Sequence, residues 1–400
     1  MASAGVSPMT FPSPASQPLV GHLGRWGNDP LDLLEEGATL GPVFSLRLWR
    51  RAIVGYSPDW NRLILRDLDT FRSKGSMSGL SPYLKGGLVG TDAPDHRQAR
   101  KRINPAFDRG AVADLESAIA SVTSPRLPKG AFDAREWSSH LVREVLSKVF
   151  FDDALSAGLL QAFLDPLDGA LPAPLLRRPL LFRRMNIALH HLLNTEHPRG
   201  LISAFNSMPD AVDQARVALS AAYDTTAHTL AWALWHLATN PRWGHAEVVG
   251  ALTDEALRLY PSGWVGSRVN RDPVVFNDVH IPARTLLLYS PYLTHRDPSL
   301  WTDPLTFTPG RAAEPLPAWG YIPFAAGERT CLGTHLAKLI LRTVVGQFGE
   351  TLRTIGSHPG LRAGITLGPA GPIPLHRTPA TDPVPPPPSA RSTSSVPHLT

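Results

Sequence analysis

Cysteine is almost missing from this chain: Cys331 stands alone in 400 residues. One thiol excludes an intrachain disulfide and a cysteine-rich zinc site. Charged side chains are sparse at 18%, and the net charge of +5 comes without a basic cluster, which argues against a nucleic-acid partner. No apolar run is long enough to span a bilayer, and Met1-Ala-Ser-Ala-Gly-Val-Ser-Pro has neither the charged start nor the apolar core of a secretory leader. A cytoplasmic protein with no transmembrane anchor is expected. There is no Gly-x-Gly-x-x-Gly strand–turn–helix and no internal repeat. Proline and glycine, by contrast, are abundant. The final stretch from Asp382-Pro-Val-Pro-Pro-Pro-Pro onward cannot bury a core. The expected layout is a flexible N-terminus over 1–9, one domain over 10–378, and a Pro/Ser-rich disordered tail over 379–400.

The lone cysteine sits in Tyr321-Ile-Pro-Phe-Ala-Ala-Gly-Glu-Arg-Thr-Cys331-Leu-Gly-Thr-His335, just before an apolar helical pattern of Leu336, Leu339, Ile340 and Val344. That spacing predicts a thiol at a helix N-terminus, where unpaired backbone N–H groups and the helix dipole favour the thiolate. Gly327 and Gly333 would permit turns that aim several N–H groups at one sulfur. A thiolate held this way suits an axial ligand of haem iron. The alternative is a buried free cysteine acting as a small hydrophobe.

The pattern Phe324-x-x-Gly327-x-Arg329-x-Cys331-x-Gly333 resembles the haem-binding loop of the cytochrome P450 family, the haem–thiolate monooxygenases. The family usually has glycine after the phenylalanine; this chain has Ala325. Further segments resemble the family in the family's order. Asp92, Pro94 and Asp95 are helix-start residues, so His96 and Arg100 fall at i and i+4 on one helical face, suited to an anion. By resemblance they would hold haem propionates, as would Arg268 and Arg329. In Val217–Leu234 a long helical pattern carries Asp224-Thr225-Thr226, residues of poor helix propensity at its middle. It resembles the family's oxygen-binding helix, which implies catalytic roles for Asp224 as proton relay and Thr225 as the hydroxyl beside dioxygen. Ala222 departs from the family's glycine there. Glu255 and Arg258, i and i+3 before Pro261, would join Arg311 in a structural charge network.

The resemblance implies a mainly α fold with a small β-rich lobe, the cytochrome P450-like fold, holding haem b (iron protoporphyrin IX). Cys331 would bind the iron, Phe324 would shield the sulfur, and Gly327 and Gly333 would shape the turn. Tyr223, Trp264 and Val265, with apolar residues of the 73–90 loop, would line a substrate pocket. The implied reaction is oxidation of a lipophilic molecule of terpenoid, carotenoid, fatty-acid or polyketide class, with O2 and two electrons from an external ferredoxin or flavodoxin and its reductase. A basic face of Arg97, Lys101, Arg102, Lys338 and Arg342 is expected to dock that acidic partner to a monomer. A peroxide-driven oxygenase of the same fold and a non-catalytic haem-binding protein stand as alternatives. Locally, the pattern predicts a helix from Pro30, a hairpin through Phe44–Gly55, a helix capped by Ser57, and one long helix within 137–165.

Overall fold

The computed structural model describes residues 10–169, 171–313 and 315–378; the expected flexible N-terminus and Pro/Ser-rich tail lie outside the described residues. The architecture is mainly α with small β-sheets, as the resemblance implied. Local sequence starts its elements where capping chemistry says it should. Pro30–Thr39 begins at a proline, with Asp29 accepting from the Asp32 N–H, and Pro58–Arg66 begins the same way under Ser57. Between them Val43–Arg47 and Arg51–Gly55 pair antiparallel as the expected hairpin.

That hairpin is one side of a five-stranded sheet. Arg51–Gly55 lies parallel to Leu286–Tyr289, which pairs antiparallel with Gly266–Asn270, which in turn pairs with Phe71–Arg72. The Gly266–Asn270 strand is buried from Ser267 onward, so Arg268 is carried into the interior on a sheet rather than on a mobile loop.

The helical layer is organised around Ala211–Thr239, 29 residues long, of which 20 are buried. A helix buried on so many sides must be small or apolar on every face. Ala, Leu and Trp supply this from Ala227 to Ala238. It packs on Ala134–Phe151, Pro179–Leu193, Ala246–Leu259 and Thr334–Gly346, and their apolar faces merge into one core. The single helix expected within 137–165 is two, Ala134–Phe151 and Ala157–Leu164. Asp152 and Asp153 adopt left-handed backbone with φ of 47° and 62°, a conformation a short polar side chain tolerates and a helix cannot continue through.

Two smaller sheets finish the chain. Gly130–Asp133, Pro374–Arg377 and Leu352–Thr354 tie the C-terminal segment to the start of Ala134–Phe151. Leu361–Ala363 and Leu367–Pro369 form a hairpin against the long helix. No helix among the described residues is long and apolar enough to cross a membrane.

Candidate functional site

A cavity of about 710 Å³ lies between the sheet and the long helix. Its walls collect segments far apart in sequence: His96 and Arg100, Ala221, Ala222 and Thr225, Trp264 to Arg268, and Phe324 to Ala337 in part.

Cys331 contributes the only thiol. It is exposed, and the surface it presents faces this cavity. Its N–H donates to the Phe324 carbonyl at 2.9 Å, closing the loop, and its own carbonyl accepts from the Thr334 hydroxyl at 2.8 Å. Helix Thr334–Gly346 starts three residues later with Gly333 as its N-cap. Burial pushes the thiol pKa up, against the opposing pull of the Gly333 N–H, Arg100 and Thr334. The expected preference for thiolate is therefore not carried by the helix terminus alone: desolvation outweighs it in this apolar wall. A bound metal cation would supply the missing stabilisation.

The loop's glycines divide in function. Gly327 has φ +68°, and a Cβ there would lie 2.3 Å from the Leu65 carbonyl oxygen, so only glycine fits. Gly333 has φ −85°, and the nearest atom a Cβ would meet is Cys331 Sγ at 4.0 Å. It lies in the turn between Cys331 and the helix, where neither its φ nor the space around it demands glycine. Ala325 sits at φ +55°, the left-handed region that glycine would occupy without cost.

Four cationic or donor side chains border the cavity near this loop. Arg329 donates to the Thr91 carbonyl at 2.6 Å and to Asp92 at 3.0 Å. Arg100 donates to the Thr330 carbonyl at 3.0 Å, and Arg268 to the Ser267 carbonyl at 2.7 Å. His96 is buried. Burial, with Arg329 and Arg100 beside it, brings His96 down to about 4, and burial with Arg268 brings Arg329 down to about 10. The Nε atoms of Arg268 and Arg329 and Nδ1 of His96 are buried without a hydrogen-bond partner among the described residues. Three mutually repelling guanidiniums beside a neutral imidazole, with Asp92 the only ion-pair partner among the described residues, form a receptor for anionic groups. A cofactor with carboxylates at one edge and a metal for Cys331 fits this donor set.

On the long helix, residues 218, 221, 222, 225 and 229 line the cavity, the i, i+3, i+4 pattern of one face. Thr225 Oγ1 donates to the Ala221 carbonyl at 2.7 Å. The Thr225 carbonyl accepts from Ser262 Oγ at 2.9 Å and Thr229 Oγ1 at 2.8 Å, which pins this turn to the 261–265 segment. Asp224 is buried and points off the cavity face. Its carboxylate accepts from Thr366 and lies 3.5 Å from His228 Nε2, and burial pushes its pKa up. Tyr223 is not a pocket residue. It is buried in the helical core, one position round the helix from Ala222, which does line the cavity. Trp264 and Val265 line the cavity as expected, with Trp264 Nε1 donating to the Gly364 carbonyl at 3.1 Å. Of the 73–90 loop, Met77, Leu80, Leu84 and Leu88 reach it, while Tyr83 packs against Phe163 and Phe182.

Away from the cavity, Glu255, Arg258 and Arg311 meet. Arg258 donates bidentately to Glu255 at 2.7 and 2.8 Å and to the carbonyls of His295 and Pro304, and Arg311 Nε reaches Glu255 at 3.2 Å. The trio staples residues 302–311 to helix Ala246–Leu259.

A family model described as Cytochrome P450 matches residues 243–351. A cyclooctat-9-en-7-ol 5-monooxygenase from Streptomyces melanosporofaciens is 28% identical, covering 85% of this chain and 89% of that one. The cyclooctatin synthase of the same organism is 26% identical, covering 91% and 95%. A crystal structure of a six-coordinated cytochrome P450 from Thermus thermophilus superposes with a TM-score of 0.76 at 25% identity, covering 87% of this chain and 98% of that one. The chain belongs to the cytochrome P450 family. It is a P450 monooxygenase, and as such uses haem iron, dioxygen, an organic substrate and a redox partner.

The basic face of this P450 is less free than its sequence implied. Arg97 pairs with Asp69 and Glu328, and Lys338 and Arg342 share Asp254. Lys101 and Arg102 are exposed with no ion pair among the described residues. Asp168, His228 and Thr366, which surround Asp224, were missed by sequence reasoning. His228 left a signal, standing four residues after Asp224 on one helix face; Asp168 and Thr366 lie in distant loops and left none.

Proposed function

We propose that this P450 takes up haem b, that Cys331 would hold its iron, and that the protein hydroxylates or otherwise oxidises a lipophilic, terpenoid-type substrate. The observation that carries the reading is that one apolar cavity presents the lone thiol, the cluster of His96, Arg100, Arg268 and Arg329, in which only Arg329 has an ion-pair partner among the described residues, and the Thr225 hydroxyl. The cationic cluster would take the propionates, and their negative charge would relieve its mutual repulsion. Phe324 and Leu332, both on the cavity wall, would keep water from the sulfur. Haem iron, when bound, supplies the centre at which dioxygen is reduced by two electrons and one oxygen atom is inserted into the substrate.

The protein's own work is orientation and proton control. Trp264, fixed by its bond to Gly364 and packed on Trp26 at 5.6 Å, gives a rigid apolar wall. Leu23, Trp49, Leu80, Leu171 and Leu175 are exposed around the same cavity, an apolar rim suited to a substrate that leaves water reluctantly. Thr225, whose proton is engaged by Ala221, presents lone pairs to the cavity and becomes a donor there only by releasing that bond. Asp224 is the acid that would resupply it. One relative is named for oxidising cyclooctat-9-en-7-ol and another for making cyclooctatin, which supports the terpenoid class over fatty acids. Electrons would come from an acidic ferredoxin or flavodoxin docking near Lys101 and Arg102.

The test is the carbon monoxide difference spectrum of the reduced protein. A thiolate-type red-shifted band is expected for the wild type and its loss for Cys331→Ser. A wild type without that band refutes the ligand assignment. A screen of terpenoids and fatty acids for a low- to high-spin shift of the ferric haem then selects the substrate class.

A further inference from the structure

Acidic side chains are missing from four stretches of this chain: 10–28, 37–58, 70–91 and 169–195 hold none of its 34 Asp and Glu. The same stretches hold 11 of its 39 Lys and Arg, which leaves 28 to stand against every acid elsewhere. The net charge of +5 therefore divides into a strongly cationic part and a remainder that is net negative. Along the sequence the 11 cations are dispersed, with no more than four in one stretch; the fold is what gathers them.

The four stretches meet at the mouth of the cavity. Leu23, Trp49, Leu80, Leu171 and Leu175 represent all of them, and each is exposed and borders the cavity. Hydrogen bonds tie the stretches together there. The Arg47 N–H donates to His22 Nδ1 at 2.8 Å, and the Ser81 hydroxyl donates to the Pro174 carbonyl at 3.4 Å. Of the 11 cations only Arg25 has an ion-pair partner among the described residues, reaching Asp32 and Glu36.

Helix Pro179–Leu193 shows how this surface is built. Met185, Leu189 and Leu193, at i, i+4 and i+8, bury one face in the core. Leu180, Arg183, Arg184, Ile187 and His191 share the opposite face, and all are exposed. A helix face turned to water normally mixes both signs of charge. This one mixes arginine with large apolar groups and has no acid. Leu180 is 75% exposed and Leu19, on the first stretch, 96%. Free apolar side chains among unpaired cations match an interface that offers acyl chains and phosphates together. An acidic protein, a nucleic acid or free phosphate would satisfy the arginines and leave the leucines in water.

We propose that the cavity mouth docks on an anionic phospholipid membrane, with Leu19, Leu180 and Ile187 entering the interface and Arg177, Arg183 and Arg184 meeting its phosphates. The attachment is peripheral, since no described helix is long and apolar enough to cross a membrane. Its hold comes from shallow insertion and charge. Docked in this way, the cavity opens toward the acyl layer in which a lipophilic substrate concentrates. That consequence rests on the reading of the substrate as lipophilic; the docking does not. Lys101 and Arg102, assigned above to the electron donor, lie outside the four stretches, which leaves that face open to its own partner.

The test pellets the haem-loaded full chain with vesicles of phosphatidylcholine alone, or of phosphatidylcholine and phosphatidylglycerol in equal parts. The mixed vesicles are expected to retain the protein, to release it in salt, and to bind it at least about tenfold more tightly than phosphatidylcholine. Arg183→Glu/Arg184→Glu should weaken that binding at least about tenfold, and Leu19→Asp/Leu180→Asp should weaken it by about as much. Lys101→Glu/Arg102→Glu, with the same change in charge, should bind as the wild type does. All six positions are exposed, and the carbon monoxide spectrum is expected to stay unchanged in each variant. No retention by the mixed vesicles overturns the proposal, as does retention indifferent to the arginine or the leucine pair. An equal loss in Lys101→Glu/Arg102→Glu overturns it as well, because net charge alone would then explain the binding. Retention on immobilised RNA with none on vesicles assigns the surface to a polyanion without acyl chains and overturns it too. If the vesicles bind as expected while no lipophilic compound shifts the spin state of the ferric haem, the docking stands and the substrate reading fails. A terpenoid spin shift in a protein that ignores vesicles gives the reverse.

Discussion

Gly327 offers a sharp test of the cysteine loop because both of its constraints are backbone constraints. Gly327→Ala puts a Cβ 2.3 Å from the Leu65 carbonyl oxygen and 3.2 Å from its carbon, in a conformation of φ +68°. The left-handed conformation costs a non-glycine residue about 1–2 kcal/mol. Separating a methyl from a backbone carbonyl that has no rotamer to escape into costs about 1–3 kcal/mol more, the range found for overpacked sites. The sum is about 2–5 kcal/mol. The displacement is passed on directly, since the Gly327 carbonyl accepts from the Thr330 N–H and hydroxyl at 3.1 and 2.8 Å, next to Cys331. Urea unfolding should show the loss of stability, and the reduced carbon monoxide spectrum should show less bound haem per protein. Ala325→Gly is the control two residues away. It relieves a φ of +55° and costs chain entropy of similar size, so it should stay within about 1 kcal/mol of the wild type and keep its haem. A Gly327→Ala variant as stable and as haem-replete as Ala325→Gly would refute the reasoning.

Glu255→Ala leaves the buried Arg258 without its bidentate partner and should destabilise the protein by about 3–5 kcal/mol in urea unfolding, with much of the loss recovered in Glu255→Leu/Arg258→Met. His295 donates Nδ1–H to the Arg258 carbonyl and accepts the Ile322 N–H at Nε2, and burial lowers it from its ordinary 6.5 to about 3. Between those values the unfolded chain binds the extra proton, so stability should fall as pH drops below 6.5, by about 1.4 kcal/mol at about pH 5.5 from this group; unfolding of His295→Gln should lack that share. Lys101→Glu/Arg102→Glu should raise the KM for a ferredoxin and flatten its salt dependence, while Lys338→Glu should act less on docking because Asp254 already pairs with it.

What could be read from the sequence follows from how local each signal is. The Cys331 loop and Glu255-x-x-Arg258 are short segments whose spacing survives any tertiary change, and both form the geometry their spacing implied. His96 and Arg100 needed only helical periodicity to be placed on one face, and both reach the cavity. Tyr223 failed because adjacency along a helix is not adjacency on a face: Ala222 and Thr225 share a face, while residue 223 is turned about 100° away. Asp224 is turned away for the same reason, which is why its partners come from the 168 loop and the 361–369 hairpin. Gly333 resembled Gly327 as a letter but not as a φ, and backbone angles are not written in composition. The break at Asp152 depended on two aspartates accepting left-handed backbone, a choice the apolar periodicity around them did not reveal.

The hairpin Leu361–Pro369 has a consequence for changing what this P450 accepts. Its turn presents Ala363, Gly364 and Ile365 to the cavity and holds Trp264 through the Gly364 carbonyl, so it is an obvious place to widen or reshape the pocket. The same short hairpin carries Arg362 onto Asp168, Thr366 onto Asp224 and Gly368 against His228. Part of the cavity wall and the side chains that surround Asp224 are thus carried on one strip of chain. Libraries built there should disturb both, with broadened variants releasing more hydrogen peroxide per reducing equivalent, whereas mutations at Met77, Leu84 or Val265 should tune selectivity without that penalty.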